Sequence, residues 1–245
     1  MRRFLTTAAV GLGAVALFTL AATSCGDDDA GAAVALDPAK ADTIAHQIVI
    51  QPADLPGSGW VIASTDEFGD DAGIPANTAE CRALEAAKTK VEAAVDAGRA
   101  GRAKVELSRP HPSGLATEVS TTVNIFKDVA VPTEAFALGK AAYTDENVTN
   151  CFRDALIASL GAGSKVSARS AAPLASVPEG GVARAVEISI EASGQKLQMR
   201  FEVYYWRFEN AGLTVTVTGA IAELSKELST AAVSHVQDGL VAAAK

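Results

Sequence analysis

Two hydrophobic periods alternate along this chain. From Ala103 to Arg109 and from Ala116 to Lys127, apolar and polar residues broadly alternate on either side of Pro110-His111-Pro112-Ser113-Gly114. That alternation predicts a β-hairpin with Val119, Val123 and Ile125 on its buried side. The same period returns at Lys165 to Leu174, Val182 to Glu191, Lys196 to Glu209 and Leu213 to Thr218, with turns at Glu191-Ala192-Ser193-Gly194 and Asn210-Ala211-Gly212. These four predict an antiparallel meander. A shorter strand, Trp60 to Ala63, follows the Pro56-Gly57-Ser58-Gly59 turn.

Helical spacing fills the gaps. Asn77 with Glu80 three residues on forms a capping box, Gly98 closes the helix, and Cys81, Leu84, Val91 and Val95 share one face. After Pro132 a helix is predicted to about Ala142, and a second turns Val148, Cys151, Ala155 and Leu160 inward. The last helix, Ala222 to Ala244, carries Leu224, Leu228, Ala232, Val236 and Leu240 as a stripe that must cover a sheet face. The order of elements implies an α+β fold, an antiparallel β-sheet flanked by helices in a single domain. No heptad is sustained over the alanine-rich stretch 83–103, and no internal repeat of fixed period is present.

The N-terminus follows neither period. Met1-Arg2-Arg3 is a positive start, Phe4 to Ala22 is apolar, and Ala22-Thr23-Ser24 offers small residues for cleavage before Cys25, so residues 1–24 are predicted to be a signal peptide. Leu20-Ala21-Ala22-Thr23-Ser24-Cys25-Gly26 resembles the lipobox of bacterial lipoproteins. The resemblance implies that the Cys25 thiol takes a diacylglycerol, that palmitate-type chains enter the bilayer, and that the protein is anchored on the extracytoplasmic face of the cell membrane. Two other outcomes stay open: cleavage by an ordinary signal peptidase, and retention of the apolar stretch, about 19 residues, as a membrane span. Residues 25–43, with Asp27-Asp28-Asp29 as a hydrated spacer, are expected to form a flexible tether, and the domain to run over 44–245 from near Ile44.

With Cys25 assigned to lipid, Cys81 and Cys151 remain, and outside the cytoplasm two such thiols pair. The disulfide would close a loop of about 71 residues, worth roughly 4 kcal/mol in the chain-entropy model. The net charge of −8 becomes about −10 once Arg2 and Arg3 leave with the signal, which argues against a nucleic-acid partner.

Chemistry is sparse. His46, His111 and His235 sit in no catalytic motif, and the pair His235 and Asp238 lacks the third ligand that zinc requires. Asp66-Glu67-Phe68-Gly69-Asp70-Asp71 places Phe68 where a calcium loop needs a ligand. Neither a cofactor nor a metal is therefore expected. The stretch Met199 to Phe208 stands out because both parities are apolar or aromatic. It reads either as a central strand covered on both faces or as the wall of a cleft. In the cleft reading Tyr204 and Trp206 pack a ligand and Arg200 fixes its polar group.

Asp54-Leu55-Pro56-Gly57-Ser58-Gly59-Trp60, the helix at Cys81, the passage Val123-Asn124-Ile125-Phe126-Lys127-Asp128 and Cys151 resemble actinobacterial lipoproteins, which are similar to the extracellular sensor domains of actinobacterial serine/threonine kinases. The resemblance implies an antiparallel sheet flanked by helices with a cleft for an envelope ligand, and carries over no catalytic residue. The expected function is a non-catalytic binding or sensor-type module for a small or amphiphilic ligand. The alternatives are a structural or chaperone-like accessory that binds a membrane protein, and a hydrolase of unrecognised type.

Overall fold

The computed structural model describes residues 38–65, 78–111, 115–128, 133, 136–137, 139–140, 147–160, 164–192 and 194–243. Cys25, its flanking segment and the acidic loop 66–71 lie outside them. Helix α1 (Pro38–Ile48) opens the domain and buries Ala41, Ala45 and Ile48, one face of a helix. Helix α1 thus includes Pro38 to Thr43, ahead of Ile44. Ala41 and Ala45 are too small to read as an apolar stripe. Their size instead lets the α1 backbone lie against Gly101, where a Cβ would collide with Ala41 and the Asp42 nitrogen.

After a single 3-10 turn (Pro52–Asp54) come β1 (Val61–Thr65), α2 (Ala79–Gly98), β2 (Arg99–Arg109), β3 (Thr117–Phe126) and α3 (Asn147–Leu160). Then follow β4 (Lys165–Ala171), β5 (Val182–Ala192), β6 (Gln195–Phe208), β7 (Ala211–Ala220) and α4 (Lys226–Ala243). The seven strands form one sheet in the order β1-β2-β3-β7-β6-β5-β4, antiparallel throughout. The predicted hairpin and meander are both present, and they join where β7 pairs with β3 at the middle of the sheet. Short β1 forms one edge and loses its register with β2 between Ile62 and Ser64.

One face is the main core. Val105, Leu107, Val119, Val123, Leu213 and Val215 meet Ile48 of α1 and Ala232, Val236 and Leu240 of α4, so the stripe on the last helix covers a sheet face as expected. On the other face Leu156 of α3 packs with Val186, Ile188, Ile190 and Met199. Leu156 is buried where the helix was expected to present Ala155, which is half-buried. Among the described residues no helix is long and apolar enough to cross a membrane.

Helix α2 starts one residue later than its sequence suggests. Thr78, in place of Asn77, is the N-cap, its side chain accepting the Cys81 N–H at 3.2 Å. Cys81 and Cys151 point inward and form a disulfide between α2 and α3, with Cα atoms 4.9 Å apart. The side chains of Leu84, Val91 and Leu160 lie outside the described residues. Thr133, Phe136, Ala137, Gly139 and Lys140 are helical within the stretch expected to form a helix after Pro132.

Candidate ligand-binding face

Strand β6 lies between β5 and β7 and is buried on both faces from Met199 to Trp206. The three residues considered for a cleft wall are all inside: Tyr204 is 0 %, Trp206 2 % and Arg200 6 % exposed. Tyr204 and Trp206 belong to the core beneath α1 and α4. Arg200 sits in a network of buried charges. Its Nε donates to Glu202 Oε1 at 2.7 Å, its Nη1 to Glu187 Oε1 at 2.9 Å, and its Nη2 to the Ala172 carbonyl. Glu202, fully buried, also accepts from the Leu174 N–H at 3.0 Å, the Tyr204 hydroxyl at 2.6 Å and Ser229 Oγ at 2.8 Å. Tyr204 in turn accepts the Ala175 N–H at 2.9 Å. Burial and the bond to Glu202 push the Tyr204 hydroxyl pKa upward. Each hydrogen bond ends on the protein's own groups, so the network ties the loop after β4, the centre of β6 and α4 together.

The opposite face of the central strands is chemically different. On β3 it carries Glu118, Ser120, Thr122 and Asn124, and on β7 Thr214, Thr216 and Thr218, with Glu118 opposite Thr218, Ser120 opposite Thr216 and Thr122 opposite Thr214. Alternation of this kind marks a solvent face in an antiparallel sheet, yet the five hydroxyl residues are only 6–8 % exposed. Asn124 is buried deeper still, and neither its amide nitrogen nor its amide oxygen has a hydrogen-bond partner. Leaving such a group unsatisfied costs about 1–3 kcal/mol. Glu118 is affected as well: burial, with the charge of Glu106 second, raises its carboxyl pKa to about 7.

Helix α2 is held at both ends. Its C-terminus runs directly into β2, while its N-terminal turn is bonded through Cys81 to α3, which packs against β4 at the far edge. A helix of 20 residues is about 30 Å long, and the steps from β2 across the sheet to β4 total about 24 Å. The helix is thus long enough to span the hydroxyl-bearing strands with both ends held.

The sequence shows the alternation on β3 and β7 but not that its polar half is buried, so this face was missed. The strict Val-Thr alternation in Val215-Thr216-Val217-Thr218 was the available signal.

A concavity of about 400 Å³ lies towards the β4 edge of the sheet and is lined by Ser167, Arg169, Glu187, Ser189 and Gln198, among others. Its charges are already matched across the strands: Arg169 Nε donates to Glu187 Oε2 at 2.9 Å, and this bond, with Arg200 alongside, lowers the Glu187 pKa. His235 approaches Asp54 at 3.4 Å and His111 approaches Glu223 at 3.1 Å, both on the surface. Among the described residues no three His, Cys, Asp or Glu side chains gather as a metal site.

No family model and no curated protein matches the chain. Among solved structures it is similar to the extracellular domain of PknH from Mycobacterium tuberculosis, at 14 % identity and a TM-score of 0.47, over 82 % of this chain and 97 % of that one.

Proposed function

We propose that the protein is an extracytoplasmic binding or sensor-type module, held to the cell membrane by lipid on Cys25, which takes a small or amphiphilic envelope ligand on the hydroxyl-lined face of β3 and β7 without altering it. The observation that carries this reading is the buried amide of Asn124, which has no partner within the protein and stands on the same face as the buried hydroxyls. A group of this kind is a donor and an acceptor waiting for a counterpart. The disulfide ties α2 to the helix that carries Cys151, and Arg200, Tyr204 and Trp206 stiffen the sheet from behind.

Native mass spectrometry of the full chain extracted from its host membrane tests the reading. A bound mass is expected on the wild type and is lost in Asn124→Leu. A chain that carries no adduct in either form would overturn it. The anchor is checked separately: Cys25→Ser is expected to move the protein from the membrane to the soluble fraction.

A further inference from the structure

The sheet ends at two edges that are built differently. β1 slips out of register with β2 between Ile62 and Ser64, whereas β4 keeps one register with β5 from Lys165 opposite Glu191 to Ala171 opposite Ala185. Only alternate residues of an edge strand turn their backbone towards the neighbour, so the others aim their N–H and C=O groups away from the sheet. Among the described residues none of these outward groups on β4 meets a partner. A regular strand with such a row is a template for one more.

The side chains state what that next strand must carry. On one face the charge changes sign from strand to strand: Arg200 on β6 stands opposite Glu187 on β5, and Glu187 opposite Arg169 on β4. Lys196, Glu191 and Lys165 repeat the same order in a parallel row. Between the two rows lie Gln198, Ser189 and Ser167, which are polar and uncharged. The series therefore ends on β4 with two cations four residues apart and a hydroxyl midway. Both cations are exposed, the Arg169 side chain at 80 %, and Arg169 bonds Glu187 through Nε and Nη2, which leaves Nη1 to a further acceptor. The concavity of about 400 Å³ opens beside them. On the other face of β4, Val166 and Ala168 are half-buried with Leu156 of α3, so apolar residues would continue that side.

We infer that β4 is an addition site for an extended acidic segment of a partner protein, with carboxylates four residues apart on one face and apolar residues on the other. Each carboxylate continues the alternation of sign, and opposite charges on neighbouring strands attract. A second copy of this chain would instead bring two more cations, its own Lys165 and Arg169, with no carboxylate between the edges. The site is separate from the hydroxyl-bearing face of β3 and β7 and does not depend on a ligand there.

The test titrates the full chain, in a neutral detergent, with blocked peptides of seven residues and reads fluorescence anisotropy. One peptide has glutamate at its second and sixth positions, threonine at the fourth and valine at the third and fifth; another has lysine in place of both glutamates. The glutamate peptide is expected to bind with Kd of about 0.1 mM or lower, and the lysine peptide about tenfold more weakly or worse. Lys165→Glu, a change at an exposed position, is expected to weaken the glutamate peptide about tenfold while melting stays near wild type. Two further forms of the glutamate peptide are N-methylated at either the odd or the even positions. Strand addition uses alternate N–H groups, so one form is expected to bind like the parent and the other to lose binding. Equal binding of both methylated forms would mean that charge alone attracts the peptide, and would overturn the addition site. Failure of the glutamate peptide to bind, or equal binding of the lysine peptide, would overturn it as well. A chain that sediments as a dimer and is dissociated by the glutamate peptide would assign the edge to a second copy and overturn the acidic partner.

Discussion

The two faces of strands β3 and β7 differ by one residue of register and by everything that follows from it. On one face Val119, Val123, Leu213, Val215 and Val217 are sealed against helices α1 and α4. On the other, hydroxyls one step along the same strands are nearly as buried, and Asn124 has no partner. Burying a valine stabilises the fold by about 1.5–3 kcal/mol, whereas burying an unbonded polar group costs it about 1–3 kcal/mol. The first face therefore holds the domain together, and the second is held in shape at the domain's expense.

The largest expected effect probes the stable face. Trp206→Ala is expected to cost about 3–5 kcal/mol in chemical denaturation, since a large side chain leaves a cavity that the sheet cannot close. An effect under about 1 kcal/mol would mean that the two faces contribute alike. Next, Cys81→Ser with Cys151→Ser is expected to cost about 2–4 kcal/mol. The same variant should raise hydrogen exchange in α2 more than in β3, because α2 loses the fixture at its N-terminal end while the sheet keeps its ladders.

A smaller effect follows from Glu118. Its carboxyl pKa is about 7 in the fold against 4.5 as the ordinary value. Below about pH 4.5 both folded and unfolded chains hold the proton, and nothing is lost. Between that point and about pH 7 the unfolded chain releases it first, so stability falls as pH rises. With the group partly open to solvent, the expected drop is about 1 kcal/mol, read as a lower Tm at pH 8 than at pH 5. Glu118→Gln should remove that difference, and an unchanged pH slope in the variant would assign it elsewhere. Smallest of all, Thr216→Val is expected to shift stability by no more than about 0.5 kcal/mol in either direction, whereas a loss near 2 kcal/mol would show that the hydroxyl is bonded within the fold.

Much of the fold could be read in advance because each of its devices is local. The hairpin around Pro110, the β4 to β7 meander and the stripe on α4 depend on residues within a few positions of each other. The cysteine pair was legible from counting alone. The pairing of β3 with β7 joins Val119 to Val217, far apart in sequence, and no turn residue announces it. That pairing is also what sets the polar halves of both strands side by side on one face. On β6, the alternation around Arg200, Tyr204 and Trp206 showed that both parities were special without showing what covered them. The structure covers one parity with α4 and its neighbours and fills the charged part with Glu202 and Glu187. Helix α1 escaped notice for a simpler reason, since Ala41 and Ala45 fit closely by being small.

An open sheet edge is a template on which another chain can add a strand. β1 is such an edge, short, with Val61 and Ile62 half-exposed. Its ladder slips between Ile62 and Ser64, and a slip of this kind bends the strand and increases its twist. A second copy approaching along β1 would find the spacing wrong after a few residues and could not continue. Trp60, at the entry to the strand, is capped by the Arg109 guanidinium 4.8 Å above its ring, which places a positive charge beside the exposed pair. An irregular, charged edge of this kind keeps collisions between copies from ending in fibres.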